Sequence, residues 1–409
     1  MLINDYSEVN SNMIKISILG DIMCEKEILN KKNPESTDFS NLFSQISPVL
    51  KDSDYVIGNL ESVFAGKSAT YTNSMYSFNT PDVFLDQLAT LPVNLVTTAN
   101  NHSLDRGIEG INRTIDQLTK RKIRYTGTRK SKNESPYAII TINGIRIAIF
   151  SFTASVNYFD HHFTLTEEDQ FRLNLLLPQD FGKDRISKLP KSKLIINRFI
   201  TKLIGNENLM KIKKTLGRKH NSPYQDNYMP EEFPLIEPYA ENVKLLIKQA
   251  KKEADLVMFF PHMGGQFNQD PGSISEFYMR FIAESGADVI ISNHPHIIQK
   301  MEYINEIPCF YSIGNYSMYP DSTYIIKDNK PQIGLITNIY INKTTAQISK
   351  ISIIPIVMKI QAKQMTISPL FVDKTQNEVV QIIDWISQTL EVDLKLEDNE
   401  FTVIKQKTN

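Results

Sequence analysis

Short apolar runs that end in polar residues recur along the first 300 positions of the chain. Met13–Leu19 leads into Gly20-Asp21, and Val289–Ser292 leads into Asn293–His296. Three other runs end in the same way, namely Asp54–Gly58 before Asn59, Val93–Ala99 before Asn100 and Leu256–Phe260 before Pro261. Apolar, β-branched runs of this length predict buried strands whose C-terminal ends present polar side chains.

Helical periodicity separates several of these strands. Ile108, Ile111, Ile115 and Leu118 recur at intervals of three or four residues, and Glu241–Glu253 shows a second helical pattern. Strands that alternate with helices predict an α/β layered fold, in which polar loops gather at the C-terminal ends of the strands. We therefore expect the polar residues that end separate strands to lie near one another.

The remaining pattern predicts a hairpin and a C-terminal region richer in strands. Asn143-Gly144 is a strong turn signal and predicts a hairpin over Thr141–Phe152. Further predicted elements are strands at Pro308–Ile313, Ile333–Ile341 and Gln347–Ile360, and a last helix at Glu378–Leu390.

A segment of different charge interrupts the alternation between Ser155 and Pro238. From Lys183 to His220 it contains twelve lysines and arginines but only two acids, a net charge of +10. The whole chain has a net charge of −1, so the remainder carries −11. We interpret the segment as an inserted cap that either attracts an anionic substrate or is a solvated insertion offsetting the acidic body.

Composition narrows the classes of function. With 41% hydrophobic and 22% charged residues, the 409-residue chain is typical of a globular protein with a sizeable core. Nucleic acid is a poor partner, because the net charge is near zero and the basic segment has few aromatic residues for stacking. The two cysteines, Cys24 and Cys309, exclude a thiolate zinc site, and we expect both to be free and buried.

Neither a secretory signal nor a membrane-spanning segment is evident. Met1–Asn12 has no basic region before an apolar stretch, and no run approaches the roughly 18 apolar residues that span a bilayer. We therefore expect a soluble, cytoplasmic protein without a transmembrane segment, which reaches the membrane, if at all, through a partner.

Four of the seven histidines stand at the polar ends of predicted strands: His102, His262, His294 and His296. Every histidine that is buried without a partner incurs a desolvation cost, so four in such places indicate a shared role. His294 and His296 form an H-x-H pair. If the segment is extended, both side chains project to one face and can bind a metal through neutral imidazole nitrogens.

Oxygen donors accompany these histidines. Asp21 and Glu61 supply carboxylates, and Asn101 supplies an amide carbonyl. A mixed set of nitrogen and oxygen donors without thiolates suits Mn, Fe or Zn better than copper or an iron–sulfur cluster. Asp105, three residues after His102, either caps the following helix or orients the His102 imidazole, and both roles are open at this point.

Six motifs in this order resemble those of the bacterial capsule-synthesis CapA family, also called the poly-γ-glutamate synthesis protein family, of the calcineurin-like metallophosphoesterase superfamily. The motifs are Gly20-Asp21-Ile22-Met23, Asn59-Leu60-Glu61, Ala99–Gly107, His262-Met263-Gly264, Gly286–His296 and Tyr311–Tyr316. In the last motif, Asn315 either contacts the site or only forms a turn with Gly314. The resemblance covers about Met13 to Tyr319.

The resemblance implies a four-layer α-β-β-α sandwich of the metallophosphoesterase type with an inserted basic cap. We place the family domain at residues 13–154 and 238–365, the cap at residues 155–237, and a C-terminal helical extension at residues 366–409. It also implies two divalent metal ions (Mn, Fe or Zn), one bound by Asp21 and His296 and the other by Asn101, His262 and His294. Glu61 would bridge them, and His102 would be the general acid.

Two departures from the superfamily pattern concern the metals. Met23 stands where the superfamily usually has a histidine, so the first metal has one ligand fewer. Glu61 stands where the bridging residue is usually an aspartate. CapA-like proteins share both features.

The implied function is a metal-dependent hydrolase in the biosynthesis or processing of an anionic capsular polymer, poly-γ-glutamate or polysaccharide. A metal-bound hydroxide would attack a phosphoester or a γ-glutamyl amide. The alternative is a non-catalytic metal-binding accessory protein of a capsule synthesis or export complex, with capsule synthase components as its partners.

Overall fold

The computed structural model describes residues 12–73, 77–158, 163–182, 226–322, 325–361, 364–370 and 377–406 of the chain. The basic segment Lys183–His220 lies outside these ranges, as do His161 and His162. The predicted cap, residues 155–237, is therefore described only in part, and the domain boundaries stay a prediction. Within the described ranges, no helix is long and apolar enough to cross a membrane.

The described residues form two β-sheets and a set of α-helices. The strands are β1 (Met13–Ile22), β2 (Tyr55–Leu60), β3 (Leu95–Thr97), β4 (Arg124–Thr126), β5 (Ala138–Ile142), β6 (Ile145–Thr153), β7 (Leu256–His262), β8 (Val289–Ile291), β9 (Met301–Ile304), β10 (Ile307–Phe310), β11 (Asn315–Ser317), β12 (Ile333–Asn342), β13 (Ile348–Gln361), β14 (Gln364–Pro369), β15 (Asp393–Glu397) and β16 (Glu400–Ile404). The helices are α1 (Asp82–Leu88), α2 (Gly107–Lys120), α3 (Phe233–Glu253), α4 (Ser273–Ser285) and α5 (Asn377–Leu390).

The larger sheet has the order β15-β16-β13-β12-β1-β2-β3-β4. Strands β1 to β4 run parallel, so their C-terminal ends lie at the same edge of the sheet. β12 pairs with β1 in the antiparallel direction, and the short β11 pairs with the end of β1 at Asp21. This edge therefore collects the residues that follow β1, β2 and β3.

The smaller sheet has the order β5-β6-β7-β8-β10-β9. Its inner strands β6, β7, β8 and β10 are parallel, whereas β5 and β9 are antiparallel to their neighbours. The predicted hairpin is the connection between β5 and β6, where Asn143 and Gly144 have φ angles of 49° and 86°. Both residues need a positive φ in a two-residue turn of this kind, which the Asn-Gly pair provides.

The two sheets pack face to face across one hydrophobic layer. Ile16 and Ile18 of β1 share a buried cluster with Ile147 and Ile149 of β6. The opposite face of the larger sheet packs against α1, and that of the smaller sheet packs against α3 and α4. The fold is thus a four-layer α-β-β-α sandwich, which confirms the predicted fold class. Cys24 and Cys309 are both buried and free, as expected.

Two elements differ in extent from the predictions. Helix α3 begins at Phe233 instead of Glu241 and includes Pro238, a residue that in sequence is typical of a helix boundary. The predicted last helix is present as α5, but β15 and β16 follow it and join the larger sheet beside β13. This pair was not predicted because β15 alternates charged residues with leucines instead of forming an apolar run.

Candidate metal centre

The six predicted metal ligands converge where the parallel strands of both sheets have their C-terminal ends. Asp21 lies near the end of β1, whereas Glu61 and Asn101 lie in the loops that follow β2 and β3. From the smaller sheet, His262 ends β7, and the loop after β8 carries His294 and His296. All six side chains are buried, with at most 6% of any residue exposed.

The first set of ligands surrounds the Nε2 atom of His262. This nitrogen lies 2.7 Å from Asn101 Oδ1, 3.0 Å from His294 Nδ1 and 3.5 Å from Glu61 Oε1. Two ligand atoms that each bind one cation at ~2.0–2.2 Å are themselves separated by about 3 Å. The spacing of the four side chains therefore fits donors to a common cation.

The second set consists of Asp21, Glu61 and His296. His296 Nδ1 lies 3.2 Å from Asp21 Oδ2, and His296 Nε2 lies 3.7 Å from Glu61 Oε1. The side chain of Met23 packs in the hydrophobic cluster beside α1. Glu61 contributes to both sets, as the resemblance implied for a bridging ligand.

The carboxylate of Glu61 tests whether the site fits a cation. Both of its oxygens are buried, and neither has a hydrogen-bond partner among the described residues. A buried carboxylate without a hydrogen bond is expensive unless a positive charge compensates it. Nitrogens of three histidines lie within 4 Å of Oε1, but none of them forms a hydrogen bond with it. These nitrogens are atoms that commonly bind metals. The residues present therefore fit a bound cation.

The segment that carries His294 and His296 is not extended, although an extended segment was the condition for both side chains of the H-x-H pair to project to one face. Both residues have positive φ angles, 104° and 57°. Such conformations cost on the order of 1–3 kcal/mol in residues other than glycine and are concentrated at functional sites. That condition is therefore not met, but the turn still directs both imidazoles to the centre. The Asp21 carboxylate accepts a hydrogen bond from the His294 amide at 3.2 Å.

Charge and burial act differently on the ionisable groups of the centre. Burial alone would raise the pKa of Asp21, but the hydrogen bond and charge of His296, with His262, lower it. Burial would lower the pKa of His296, but the carboxylates of Glu61 and Asp21 raise it to about 9. Burial and neighbouring histidines hold the pKa of His294 well below its ordinary value, so this imidazole is neutral and able to bind a metal.

Two asparagines hold the ligands from behind. Asn59 Nδ2 donates to Asp21 Oδ1 at 2.6 Å, and Asn315 Nδ2 donates to the backbone oxygen of His296 at 2.8 Å. Because Nδ2 of Asn315 donates this hydrogen bond, its Oδ1 faces Nδ1 of His296, 3.0 Å away. That contact accepts the hydrogen on Nδ1 and leaves Nε2 on the side of Glu61. Asn315 thus contacts the site, one of the two possibilities left open by the sequence, whereas the role of Asn59 was not predicted.

His102 lies beside the ligands and is held by Asp105. His102 Nδ1 lies 2.6 Å from Asp105 Oδ2, Nε2 lies 3.8 Å from Glu61 Oε1, and the ring stacks on Phe78 with centroids 4.1 Å apart. Helix α2 begins after Arg106 without any side-chain capping bond, so Asp105 contacts the imidazole instead of capping the helix. Burial would lower the pKa of His102, but the charge and hydrogen bond of Asp105 raise it.

A cavity of about 180 Å³ opens beside His262 and His294. Its walls include Asn157, Tyr158 and Phe181, which come from the first part of the predicted cap, and Gln266 from the loop after β7. A substrate group of modest size therefore has access to the centre from this side.

Comparisons with solved structures find distant similarity over most of the chain. A structure titled as a novel phosphatase from Mycoplasma pneumoniae is 13% identical, with a TM-score of 0.40, and covers 85% of this chain and 94% of its own. A hypothetical protein from Thermus thermophilus is 10% identical, with a TM-score of 0.36, and covers 87% of this chain and 98% of its own.

Among curated proteins, the chain is 23% identical over 310 residues to the PGA biosynthesis protein CapA of Bacillus subtilis, covering 75% of this chain and 64% of that protein. It is 22% identical over 307 residues to the capsule biosynthesis protein CapA of Bacillus anthracis, covering 74% and 59% respectively. The aligned region is thus less than two thirds of the length of either relative.

The family model described as bacterial capsule synthesis protein PGA_cap matches residues 15–319, which is well over half of the chain. The match contains all six residues that converge at the sheet edges and also His102 and Asp105. The chain belongs to the bacterial capsule synthesis protein family PGA_cap.

Proposed function

We propose that the protein is a metal-dependent hydrolase acting in the synthesis or processing of an anionic capsular polymer. The observation that carries the proposal is the buried Glu61 carboxylate, which has no hydrogen bond among the described residues and lies between two sets of nitrogen and oxygen donors. Asn101, His262 and His294 would hold one divalent cation (Mn, Fe or Zn), Asp21 and His296 the other, and Glu61 both. When bound, such cations act as Lewis acids and activate water for attack.

The neighbouring residues supply the proton transfer. His102 faces the centre with Nε2 while Asp105 holds Nδ1, so a proton on Nε2 is directed toward a leaving group at the ligands. The raised pKa of His102 favours the protonated imidazole that a general acid requires. Asp105 acts by orienting and charging His102, and Phe78 fixes the plane of the ring.

The substrate class follows from the relatives and from charge. Both Bacillus relatives are named for capsule or PGA biosynthesis, and the segment Lys183–His220 has a net charge of +10. Poly-γ-glutamate and acidic polysaccharides are anionic, so a basic segment of this charge would attract them. The bond broken would be a phosphoester or a γ-glutamyl amide.

A second candidate is a non-catalytic accessory protein that uses the metals to hold a polymer or a capsule synthase component. The observation in its favour is the replacement of a usual metal ligand by Met23, together with relatives named for synthesis instead of hydrolysis. Cytoplasmic localisation and association with a synthase complex belong to this proposal as well.

Turnover separates the two candidates. The protein would be loaded with Mn²⁺ and assayed with bis-p-nitrophenyl phosphate and with a γ-glutamyl anilide. Hydrolysis of either that is lost in His102→Gln, at unchanged metal content, supports the hydrolase. Metal binding without hydrolysis of either compound supports the accessory protein.

A further inference from the structure

Asn157 lies against the metal centre although it belongs to none of the six motifs. It follows β6 in the loop at the start of the predicted cap and lines the cavity beside His262 and His294. Its backbone has a φ of 51°, a left-handed conformation that asparagine tolerates better than most residues. The preceding residue, Val156, is fully buried in a cluster with Leu104 and Leu165, which fixes the position of the loop.

The amide of Asn157 contacts two residues of the centre. Its Oδ1 accepts a hydrogen bond from Asn101 Nδ2 at 3.1 Å, and its Nδ2 lies 3.3 Å from His102 Nδ1. A carboxamide has a donor end and an acceptor end of nearly equal shape, so its orientation is set by its hydrogen-bond partners. Because Nδ2 of Asn101 donates to Asn157, Oδ1 of Asn101 faces His262 Nε2, 2.7 Å away.

Orientation matters because only one end of the Asn101 amide can bind a cation. The oxygen is a ligand, whereas the NH₂ group would present hydrogens to the positive charge. Residues that orient metal ligands from behind typically contribute roughly tenfold to 100-fold in affinity. No sequence motif indicated this contact, since Asn101 and Asn157 are 56 positions apart.

We propose that Asn157 is a positioning residue that holds the Asn101 amide with its oxygen toward the centre. The inference rests on the proposed function, because it assumes that Asn101 binds a cation. The hydrogen bond between Asn101 and Asn157 connects the first residues of the predicted cap to the metal centre.

Two substitutions separate positioning from a general structural effect. Asn157→Gly removes the amide, and glycine adopts the positive φ without strain. Asn157→Asp keeps an oxygen that accepts from Asn101 Nδ2 but removes the donor end, so it continues to select the metal-binding orientation of Asn101. A purely structural role would not distinguish the two variants in this direction.

The test is a titration of each metal-free protein with Co²⁺, followed by calorimetry and by the visible absorption of the bound ion. We expect the tightest dissociation constant to rise about tenfold in Asn157→Gly. In Asn157→Asp we expect this dissociation constant to stay within about threefold of the wild-type value, since a carboxylate oxygen at position 157 still accepts from Asn101 Nδ2 and preserves the orientation of the Asn101 amide. Circular dichroism of the metal-free proteins checks that both variants fold.

Equal affinities of wild type and Asn157→Gly would overturn the inference and leave the proposed function standing. An equal loss in both variants would overturn it too, because an acceptor at position 157 would then not suffice. Absence of Co²⁺ binding in the wild-type protein would overturn the proposed function and this inference together.

Discussion

The imidazoles of His262 and His294 face each other with Nε2 and Nδ1 only 3.0 Å apart. Nε2 of His262 also lies 2.7 Å from Asn101 Oδ1. A neutral imidazole has one hydrogen, so Nε2 cannot donate to both neighbours at full strength. A cation at this point would satisfy all three atoms.

Metal should stabilise the fold, and Glu61 should account for much of the effect. A cation present at about 100 times its dissociation constant raises the free energy of unfolding by about 2.7 kcal/mol. We expect Glu61→Gln to lose at least half of this gain. Without metal the change in stability should be small, because the substitution removes a buried carboxylate that has no hydrogen bond but also its attraction to the nearby imidazoles. Thermal unfolding with and without a chelator measures both effects.

Glu25→Gln is the matched control for Glu61. Glu25 is equally buried, but its carboxylate accepts hydrogen bonds from the Tyr319 amide and the Ser322 hydroxyl. Its substitution should lower stability without metal and leave the gain from metal unchanged. A Glu61→Gln protein that gains as much stability from metal as wild type does would contradict the account.

The two ligand sets should fill in order. Asn101, His262 and His294 with Glu61 offer four side chains, whereas Asp21, Glu61 and His296 offer three, since Met23 packs in the hydrophobic cluster. We expect two steps in a calorimetric Mn²⁺ titration, at least about tenfold apart, because fewer ligands bind more weakly. His262→Ala should remove the tighter step and His296→Ala the weaker one. Loss of the tighter step in His296→Ala instead would reverse the assignment.

His102 should affect turnover but not metal content. Its Nε2 lies 3.8 Å from Glu61 Oε1, and its other nitrogen is held by Asp105. His102→Gln should lower kcat about 10²–10⁴-fold, the typical contribution of a general acid. Asp105→Asn should lower kcat less, because it disturbs the orientation and charge of His102 but leaves the imidazole in place. Elemental analysis of the same samples would refute the role if metal were lost in parallel with turnover.

How far the sequence predicts the centre can be judged from individual residues. Asp21, Glu61, Asn101 and the histidines were predicted because each lies at or just after the C-terminal end of a strand, and parallel strands end at one edge. Asn59 and Asn157 were not singled out as contributors, because a supporting amide leaves no distinct pattern in one sequence. The positive φ angles of His294 and His296 were not predicted either, and the backbone of these residues is hydrogen-bonded to Asp21 and Asn315, which belong to other motifs.

Away from the metal centre, Glu400 should make stability depend on pH. Its buried carboxylate contacts Lys15 of β1, Ser352 of β13 and Tyr340 of β12, the last at 2.7 Å. Burial would raise its pKa, but Lys15 and the two hydroxyl groups lower it below the ordinary value. The ionised carboxylate therefore stabilises the fold above the unfolded pKa of about 4.3, and this contribution is lost as pH falls through the lower pKa of the folded state.

Glu400→Gln should lower the free energy of unfolding by about 1–3 kcal/mol at pH 7, because it weakens bonds to a buried charge. The difference from wild type should shrink below pH ~4, where the wild-type carboxyl also becomes neutral. Glu284→Gln, at an exposed position of α4, is the control and should show no such trend. Urea unfolding at several pH values measures the difference, and a constant difference down to pH ~3 would contradict the assignment.

The central claim is that the two sheet edges form a cation site, and anomalous diffraction from a crystal grown with Mn²⁺ tests it most directly. The account predicts an anomalous peak within bonding distance of Asn101 Oδ1, His262 Nε2, His294 Nδ1 and the Glu61 carboxylate. A well-ordered crystal at millimolar Mn²⁺ with no peak there, or with Glu61 paired to another protein group, would contradict it.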